Sequence, residues 1–325
     1  MLKVMDMFCG GGGLGLGFQQ AGYEIPLAFD FDKYAVESYR ANVGNHVQQM
    51  DINKVTWRDL PKADVWAFGF PCTDISRANM KGSKRERLQG KNSGLFYQVM
   101  RLLDEVAENV ADYLPKILVA ENVEDLKDVL SILKTEYEKR GYIMQAQLFD
   151  SKDWGVAQHR LRYFVIGRRE GMEELSYPVP DPTQEPKRIA DILDPEVPES
   201  YYYPVDTVKN YYVQIHRDEI KSGELNQVGT LNVPGWLDYM GRVYSTEGIS
   251  PTLTTCQGGH RQTKIIDKGR VRKLTPTEYG RLQGFPTTWK QVVSNSQAYK
   301  QFGNAVTVKP ARAVAKAIKE LLEGV

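Results

Sequence analysis

Residues 3–17 read KVMDMFCGGGGLGLG, a short apolar run that passes into a glycine-rich turn. The run predicts a β-strand over Lys3–Phe8, and the residues after the turn predict a helix over Leu14–Gln20. A glycine turn between a first strand and a first helix lets the backbone approach a nucleotide-like ligand at the carboxyl edge of a parallel sheet. Because binders of several cofactors share such a turn, it indicates the fold class and leaves the ligand open.

Strand-like and helix-like segments alternate through the first half of the chain. Ile25–Phe29, Val65–Phe70 and Ile117–Ala120 are apolar runs typical of buried strands, and Leu95–Tyr113 carries apolar side chains at helical spacing. This alternation predicts an α/β fold with a doubly wound parallel sheet.

The chain changes character after Tyr177, where seven prolines lie within residues 178–204. Proline disfavours both helix interiors and central strands, and the segment that follows is rich in short β-prone runs. Helical spacing returns near the end of the chain. We predict a large α/β domain over 1–185, a smaller irregular β-containing domain over 186–272, and a return to the first domain over 273–325.

The composition predicts a globular, cytoplasmic protein. Of the 325 residues 42% are apolar and 26% are charged, which is ordinary for a soluble chain. The sequence has neither an apolar run long enough to span a membrane nor the pattern of a signal peptide. The three cysteines are widely spaced, which favours free thiols and no metal site.

Positive charge is concentrated in two segments of a chain whose net charge is only +1. Residues 76–91 hold six basic side chains against one acid, and residues 241–280 hold seven against three. Solvated loops would explain either segment alone. Two such segments on a nearly neutral chain favour a nucleic-acid groove.

Acidic residues follow successive predicted strands. Asp30 and its neighbour Phe31 come after the second strand, and Asp51 with Ile52 comes after a later one. A carboxylate in the first position can accept hydrogen bonds from ribose hydroxyls, a phenyl ring can cover adenine, and Asp51 can bind the adenine amino group. Any one of these acids alone could instead cap a helix. Their common register favours a nucleoside site.

Cys72 comes directly after an apolar strand and a proline, in the stretch Gly69–Cys72. That position lies at the carboxyl edge of the sheet, where α/β active sites form. The residues that follow are polar and basic, which opposes burial and favours the thiolate. Cys9 and Cys256 lack this setting, and we expect both to be structural.

Two further polar clusters lie at the ends of predicted strands. Glu121 follows an apolar strand, where a carboxyl group can act as a proton donor or hydrogen-bond partner; the alternative is a helix cap formed with Asn122. Arg160 and Arg162 are two residues apart, so on a strand they share a face and can point at one anionic or carbonyl target. His159 points the other way, and we expect it to be structural.

In their order along the chain these clusters resemble the motifs of the DNA cytosine-5 methyltransferase family, especially its short bacterial modification enzymes. The resemblance covers nearly the full length except about residues 180–235. The matching stretches are DxFxGxGG (6–13), GFPC (69–72), ENV (121–123), QxRxR (158–162), RKLTPxE with LQGFP (272–286) and SQAYKQFGNAV (296–306).

The resemblance implies a Rossmann-like S-adenosylmethionine-dependent methyltransferase sheet and a smaller target-recognition domain. It also implies that Cys72 adds to carbon 6 of a cytosine flipped out of double-stranded DNA, and that carbon 5 receives the methyl group, with S-adenosylhomocysteine as product. Glu121 would bind ring nitrogen 3 and the exocyclic amine. Arg162, with Arg160 nearby, would hold the carbonyl oxygen.

The family's cofactor-binding positions fall in the glycine turn, at the ends of the following strands and in the last motif. They correspond to Phe8, Gly10, Gly12, Gly13, Asp30, Phe31, Asp51, Ile52, Phe70, Leu95, Asn304 and Val306. Asp30 stands where the family usually has Glu, which shortens the arm but keeps the carboxylate. Thr73 stands where Gln is common, a change in the loop that closes over DNA.

By the same resemblance the smaller domain reads bases in the major groove. The predicted DNA-contacting residues are Ser76, Arg77, Arg242 and Thr252, and charge adds Arg261, Gln262 and Lys264, the lysine as a phosphate contact. We expect a monomer in a restriction-modification, orphan or phage setting. A cognate restriction endonuclease would act on the same site without direct contact.

Three other interpretations stay open. A relative of the family could methylate cytosine in tRNA, although the size and basic end of the smaller domain favour DNA. A regulator with a decayed site would not need Cys72, Glu121, Arg160 and Arg162. A nicotinamide-dependent oxidoreductase explains only the glycine turn.

Overall fold

The computed structural model describes residues 1–71, 94–180, 187–216, 219–257 and 260–324. The chain forms two compact units. The first consists of Met1–Phe149, Leu161–Val179 and Pro310–Val325, and the second of Asp150–Arg160 and Pro180–Lys309.

A seven-stranded sheet forms the centre of the first unit. Its strands are β1 (Lys3–Met7), β2 (Glu24–Asp30), β3 (Val47–Gln49), β4 (Val65–Phe68), β5 (Ile117–Val123), β6 (Tyr142–Asp150) and β7 (Leu161–Arg169), in the order β3-β2-β1-β4-β5-β7-β6. β1 to β5 pair in parallel, and β7 runs antiparallel to β5. The predicted α/β class with a parallel-rich Rossmann-like sheet is confirmed.

Helices cover this sheet because its strands are apolar on both faces. They are α1 (Gly13–Gln20), α2 (Lys33–Asn42), α3 (Leu95–Asn109) and α4 (Leu130–Glu138). Every residue of β4 is buried, as expected of a central parallel strand. The buried face of α3 includes Phe96, Val99 and Leu103, which pack into the same core.

β5 is longer than its apolar run predicts. It continues through Glu121 and Asn122 to Val123, because β7 pairs with it over that whole length, with Glu121 opposite Phe164 and Val123 opposite Arg162. Glu121 and Asn122 are therefore strand residues, and the alternative that they cap a helix is wrong.

A five-stranded sheet with a small core belongs to the second unit. Its strands are β8 (Tyr212–Gln214), β9 (Gln227–Leu231), β10 (Arg242–Ser245), β11 (Lys264–Asp267) and β12 (Arg270–Lys273), in the order β12-β11-β10-β9-β8. The helices α5 (Val205–Tyr211), α6 (Asp238–Gly241), α7 (Pro276–Leu282) and α8 (Asn295–Asn304) belong to this unit, and α9 (Val308–Glu323) follows. The smaller β-containing unit that the sequence predicts is present.

A buried hydrogen-bond network joins distant segments of the second unit. Gln158 donates to the Leu282 carbonyl at 2.8 Å, and Gln283 donates to the Phe302 carbonyl at 2.7 Å. Thr307 donates to Gln283 at 2.8 Å. These bonds tie α7 and α8 to each other and to residues 150–160 within the second unit, whereas the sequence placed the two helices in the first domain. The functional division at residues 185 and 272 stays a prediction.

A buried ion pair joins β12 to α7. Arg272 and Glu278 are both fully buried, and the guanidinium group donates to the two carboxylate oxygens at 2.8 Å each. Asp267 accepts a further bond from Arg272 at 2.8 Å. Burial lowers the pKa of Arg272, but the hydrogen bonds and charges of Glu278 and Asp267 outweigh it, so the pKa is raised. The Arg272 guanidinium group therefore stays positively charged at neutral pH.

We expect Arg272→Met to lower the free energy of unfolding by about 3–5 kcal/mol, because it leaves the Glu278 carboxylate buried without its partner. Urea unfolding followed by circular dichroism measures the loss. Arg270→Met is the matched control, since Arg270 forms an exposed pair with Glu199 and should leave the midpoint unchanged. Equal midpoints for the two variants would contradict a structural role for the buried pair.

Candidate active site

The glycine turn begins at Phe8, directly after β1. Phe8 and Gly10 have φ values of 54° and 52°, and Gly12 has a φ of 100°. A Cβ on Gly12 would lie 2.8 Å from Val43 and 3.0 Å from Tyr39, so only glycine fits at the start of α1. The backbone N–H of Gly10 donates to Asp30 at 2.9 Å, which fixes the turn to the end of β2.

Asp30 and Phe31 form the second part of this edge. The second Asp30 oxygen accepts a bond from the Asp32 N–H at 2.9 Å. Burial raises the pKa of Asp30, and the two backbone bonds partly offset this. The Phe31 side chain is 74% exposed, which leaves an aromatic face open beside the carboxyl group.

Asp51 and Ile52 lie in the turn after β3. The exposed Asp51 carboxylate accepts hydrogen bonds from the backbone and side chain of Asn53 at 3.0 and 2.8 Å, which lower its pKa. Ile52 is buried, and its carbonyl accepts a bond from Arg101 at 2.9 Å. The carboxylate is thus held in one orientation at the surface of the unit.

Phe70 and Leu95, also predicted to contact the cofactor, border the core. The Phe70 ring is buried 5.5 Å from the ring of Phe96, and Leu95 is the first residue of α3. The Phe70 ring is thus part of the core, two residues beyond the end of β4.

Glu121 and Arg162 meet at the end of β5. The Arg162 Nε lies 3.5 Å from a Glu121 carboxylate oxygen, and both side chains are largely buried. A second contact orients the guanidinium group, because Arg162 donates to the Leu161 carbonyl at 2.7 Å. Two of the predicted catalytic residues are therefore brought together.

Asn122 is a residue whose positioning role the sequence did not predict. It is 2% exposed and donates to the Phe70 carbonyl at 3.0 Å, while its own side-chain oxygen accepts the Val123 N–H at 2.8 Å. The bond links β5 to the end of the segment that leads into Cys72. In the sequence, only the position of Asn122 next to Glu121 indicated such a role.

Arg160 and Arg162 have different partners, contrary to the shared target predicted from their spacing. Arg160 precedes β7, is 1% exposed and donates to the carbonyls of Gly303 and Ala305 at 3.0 and 2.9 Å. These carbonyls flank Asn304, a predicted cofactor residue. The contacts are those of a residue that holds the turn of the last motif, and a catalytic role for Arg160 stays a prediction.

The remaining predicted residues of the second unit vary in exposure. Asn304 is exposed and Val306 is partly buried. Arg242 forms an ion pair with Asp238, and the exposed Thr252 donates to the His159 carbonyl at 2.8 Å. These contacts leave the predicted roles of all four residues untested.

Two expectations for single side chains have different outcomes. The Nδ1 atom of His159 lies 2.6 Å from a carboxylate oxygen of Asp150, which fits the structural role expected of this histidine. Lys264 is only 1% exposed and donates to the carbonyls of His260 and Gln262, and burial lowers its pKa to about 7. The prediction that Lys264 contacts phosphate is wrong because its ammonium group is turned into the unit.

The structure describes Cys9 and Cys256 but does not describe Cys72. Cys72, Thr73, Ser76 and Arg77 lie outside the described residues. Burial raises the pKa of the Cys9 thiol and that of the Cys256 thiol, which opposes thiolate formation in both. Among the described residues, no group of three acids, histidines or cysteines could hold a metal ion, and no helix is long and apolar enough to cross a membrane.

Comparisons with known proteins match nearly the whole chain to a single family. A family model described as C-5 cytosine-specific DNA methylase matches residues 2–320. Type II methyltransferase M.NlaX of Neisseria lactamica is 30% identical over 333 residues, covering 100% of this chain and 98% of the relative. M.HhaI of Haemophilus parahaemolyticus is 29% identical over 314 residues, covering 94% of this chain and 91% of the relative. The S. pombe Dnmt2 methyltransferase structure shares the fold, with a TM-score of 0.74, 20% identity and coverage of 100% and 99%.

Proposed function

This chain belongs to the family of C-5 cytosine-specific DNA methylases and is a DNA cytosine-5 methyltransferase, and from that premise we propose how its residues carry out the reaction. Cys72 is the nucleophile, and Glu121 and Arg162 hold the target cytosine. The cytosine leaves the duplex first, because neither face of a stacked base is accessible to a thiol.

S-adenosylmethionine is the proposed methyl donor. The support is the chemistry of one edge of the first unit: the glycine turn that the Gly10 N–H fixes to Asp30, the Asp30 carboxyl group for ribose, the open Phe31 ring for adenine and the oriented Asp51 carboxylate. Phe8, Gly13, Ile52, Phe70, Leu95, Asn304 and Val306 complete the proposed set. When bound, S-adenosylmethionine supplies an electrophilic methyl group and leaves as S-adenosylhomocysteine.

Carbon 5 of cytosine is a poor nucleophile, and addition of the Cys72 thiolate to the ring makes it a better one. Formation of a bond from sulfur to carbon 6 moves the electron pair of the 5,6 double bond toward carbon 5, which can then accept a methyl group. Loss of the carbon 5 proton to a base then expels the thiolate and restores the aromatic ring. The basic residues after Cys72 favour the ionised thiol that this addition requires.

Glu121 and Arg162 stabilise the negative charge that the addition creates. A protonated Glu121 carboxyl group can donate to ring nitrogen 3, and its carbonyl oxygen can accept from the exocyclic amine. Arg162 donates to the carbonyl oxygen of the base, and its partly buried position strengthens this electrostatic interaction. The single observation that carries the proposal is this pair, 3.5 Å apart at the end of the strand that Asn122 links to the Phe70 carbonyl.

Double-stranded DNA is the proposed substrate, read by the second unit in a sequence-specific manner. The relatives M.NlaX and M.HhaI are Type II methyltransferases, which supports a modification enzyme of a restriction-modification, orphan or phage system. Arg242 and Thr252, with Ser76 and Arg77, are the proposed DNA contacts. We propose a monomer that acts on DNA in the bacterial cytoplasm, and a cognate endonuclease would act on the same sites without touching it.

Methyl transfer to two nucleic acids tests the substrate. The purified chain is incubated with methyl-labelled S-adenosylmethionine and either unmethylated duplex DNA or unmodified tRNA. We expect 5-methylcytosine in DNA alone, at one short sequence that bisulfite sequencing of the product identifies. Label in tRNA and not in DNA would replace the proposed substrate, and label in neither, with the cofactor bound, would contradict the proposed activity.

A further inference from the structure

Asp6 places a carboxyl group in the interior of the first unit. It lies in β1 with Ala28 of β2 on one side and Ala67 of β4 on the other, and its side chain is 1% exposed. Neither of its oxygens has a well-formed hydrogen bond within the described part of the chain. A buried carboxyl group without partners is costly when ionised, so it calls for an explanation.

The carboxyl group lies directly beneath the first turn of α1. A Cβ on Gly15 would be 2.4 Å from an Asp6 oxygen and 2.7 Å from the Tyr39 hydroxyl oxygen, so only glycine fits there. The Gly15 N–H faces the carboxyl group, and the N-cap residue Gly12 offers no side chain to this end of the helix. Asp6 is therefore the polar side chain that packs against the end of the glycine turn.

The groups that face Asp6 do not compensate a negative charge. They are Asp30 from β2, Cys9 from the glycine turn and Tyr39 from α2, whose hydroxyl lies 3.1 Å from His46. Burial lowers the pKa of His46, so its imidazole is neutral at neutral pH. Burial also raises the pKa of Asp6 to about 8, and Asp30 adds to this.

We propose that Asp6 is a positioning residue, whose neutral carboxyl group supports the glycine turn in the conformation that binds the cofactor. Ionisation would place a second negative charge under the turn, next to the Asp30 carboxyl group that bonds to Gly10. The turn would then have to move or admit water. The inference rests on the proposed cofactor site. It adds that cofactor binding depends on the protonation state of Asp6, a residue that does not contact the ligand.

Titration of S-adenosylhomocysteine into the whole protein between pH 6.5 and 9.5 tests the inference by calorimetry. For the wild type we expect constant affinity below pH 7 and a loss of about tenfold between pH 7 and pH 9. Asp6→Asn is neutral at every pH and should keep the affinity seen at pH 7 without the loss above pH 8. The ratio of the two affinities at each pH removes the ionisation of the ligand itself.

A matched variant and a measurement without ligand complete the test. Asp64→Asn removes a carboxylate that accepts the Lys3 N–H at the other end of β1, and it should titrate as the wild type does. Without ligand, the melting temperature of Asp6→Asn should rise relative to that of the wild type from pH 5 to pH 8. In that range Asp6 stays neutral in the folded wild type but ionises when the chain unfolds, which favours the unfolded state more as the pH rises.

Parallel affinity curves for wild type and Asp6→Asn would overturn the inference, as would an affinity that increases above pH 8. Absence of binding by the wild type would instead contradict the proposed cofactor and the inference with it. A pH-independent loss in Asp6→Asn would show a role in packing only and would also overturn it.

Discussion

Replacement of Cys72 by alanine is expected to reduce methyl transfer to DNA below detection while cofactor affinity stays within about twofold of the wild type. The reason is that the proposed reaction needs a thiolate to add to carbon 6, and without that addition carbon 5 stays part of an aromatic ring and is unreactive. Burial raises the pKa values of the two described thiols, Cys9 and Cys256, which opposes either of them acting as the nucleophile in place of Cys72. Steady-state methylation and calorimetry with S-adenosylhomocysteine measure the two quantities.

A covalent trap and a matched variant make the result specific. A duplex with 5-fluorocytosine at the target should form a complex that survives denaturation, because fluorine cannot leave carbon 5 as a proton does. Cys256→Ser should form this complex and keep its activity, whereas Cys72→Ala should form none. Methylation by Cys72→Ala, or trapping through another residue, would refute the assignment of the nucleophile.

Glu121→Gln is expected to lower kcat by about 10²–10³-fold, the range seen when one group that stabilises a developing charge is lost. The amide has nearly the same shape, but it cannot share a proton with ring nitrogen 3. Since Glu121 and Arg162 lie 3.5 Å apart, Arg162→Met should add less to the loss in the double variant than it costs alone. Single-turnover methylation of a saturating duplex measures the rates.

Glu124→Gln serves as the control for this prediction. Glu124 lies three residues beyond Glu121, is about half exposed and forms a loose pair with Lys127 at 3.9 Å. Its substitution should leave kcat unchanged. If Glu121→Gln turned over as fast as Glu124→Gln, or if the losses at Glu121 and Arg162 simply multiplied, the two side chains would not act together on the base.

The sequence predicts the first unit well because its signals are local. Apolar runs of strand length, separated by helical spacing, determine which residues enter the parallel sheet. The residues that follow each run, such as Asp30 and Asp51, must then lie at one edge. The resemblance of ordered motifs added roles for Cys72 and Glu121 that no local pattern contains.

The sequence predicts partners far along the chain less well. Spacing put Arg160 and Arg162 on one face, but the carbonyls that Arg160 contacts belong to Gly303 and Ala305, more than 140 residues later. The charge of Lys264 suggested phosphate, yet its burial depends on how β11 packs. Such contacts depend on tertiary packing, which residue type and spacing do not encode.

The discontinuity of both units has a consequence for how the chain is made. Gln158 and Arg160 need carbonyls at Leu282, Gly303 and Ala305, and the Tyr23 hydroxyl donates to Ala315 in the last helix. The second unit cannot complete these hydrogen bonds until residue 305 has left the ribosome, and the first unit cannot until residue 315 has done so. A nascent chain that stalls before α9 would therefore expose unfinished surfaces of both units to chaperones and proteases, and an isolated fragment of residues 186–272 would lack the segments that anchor it.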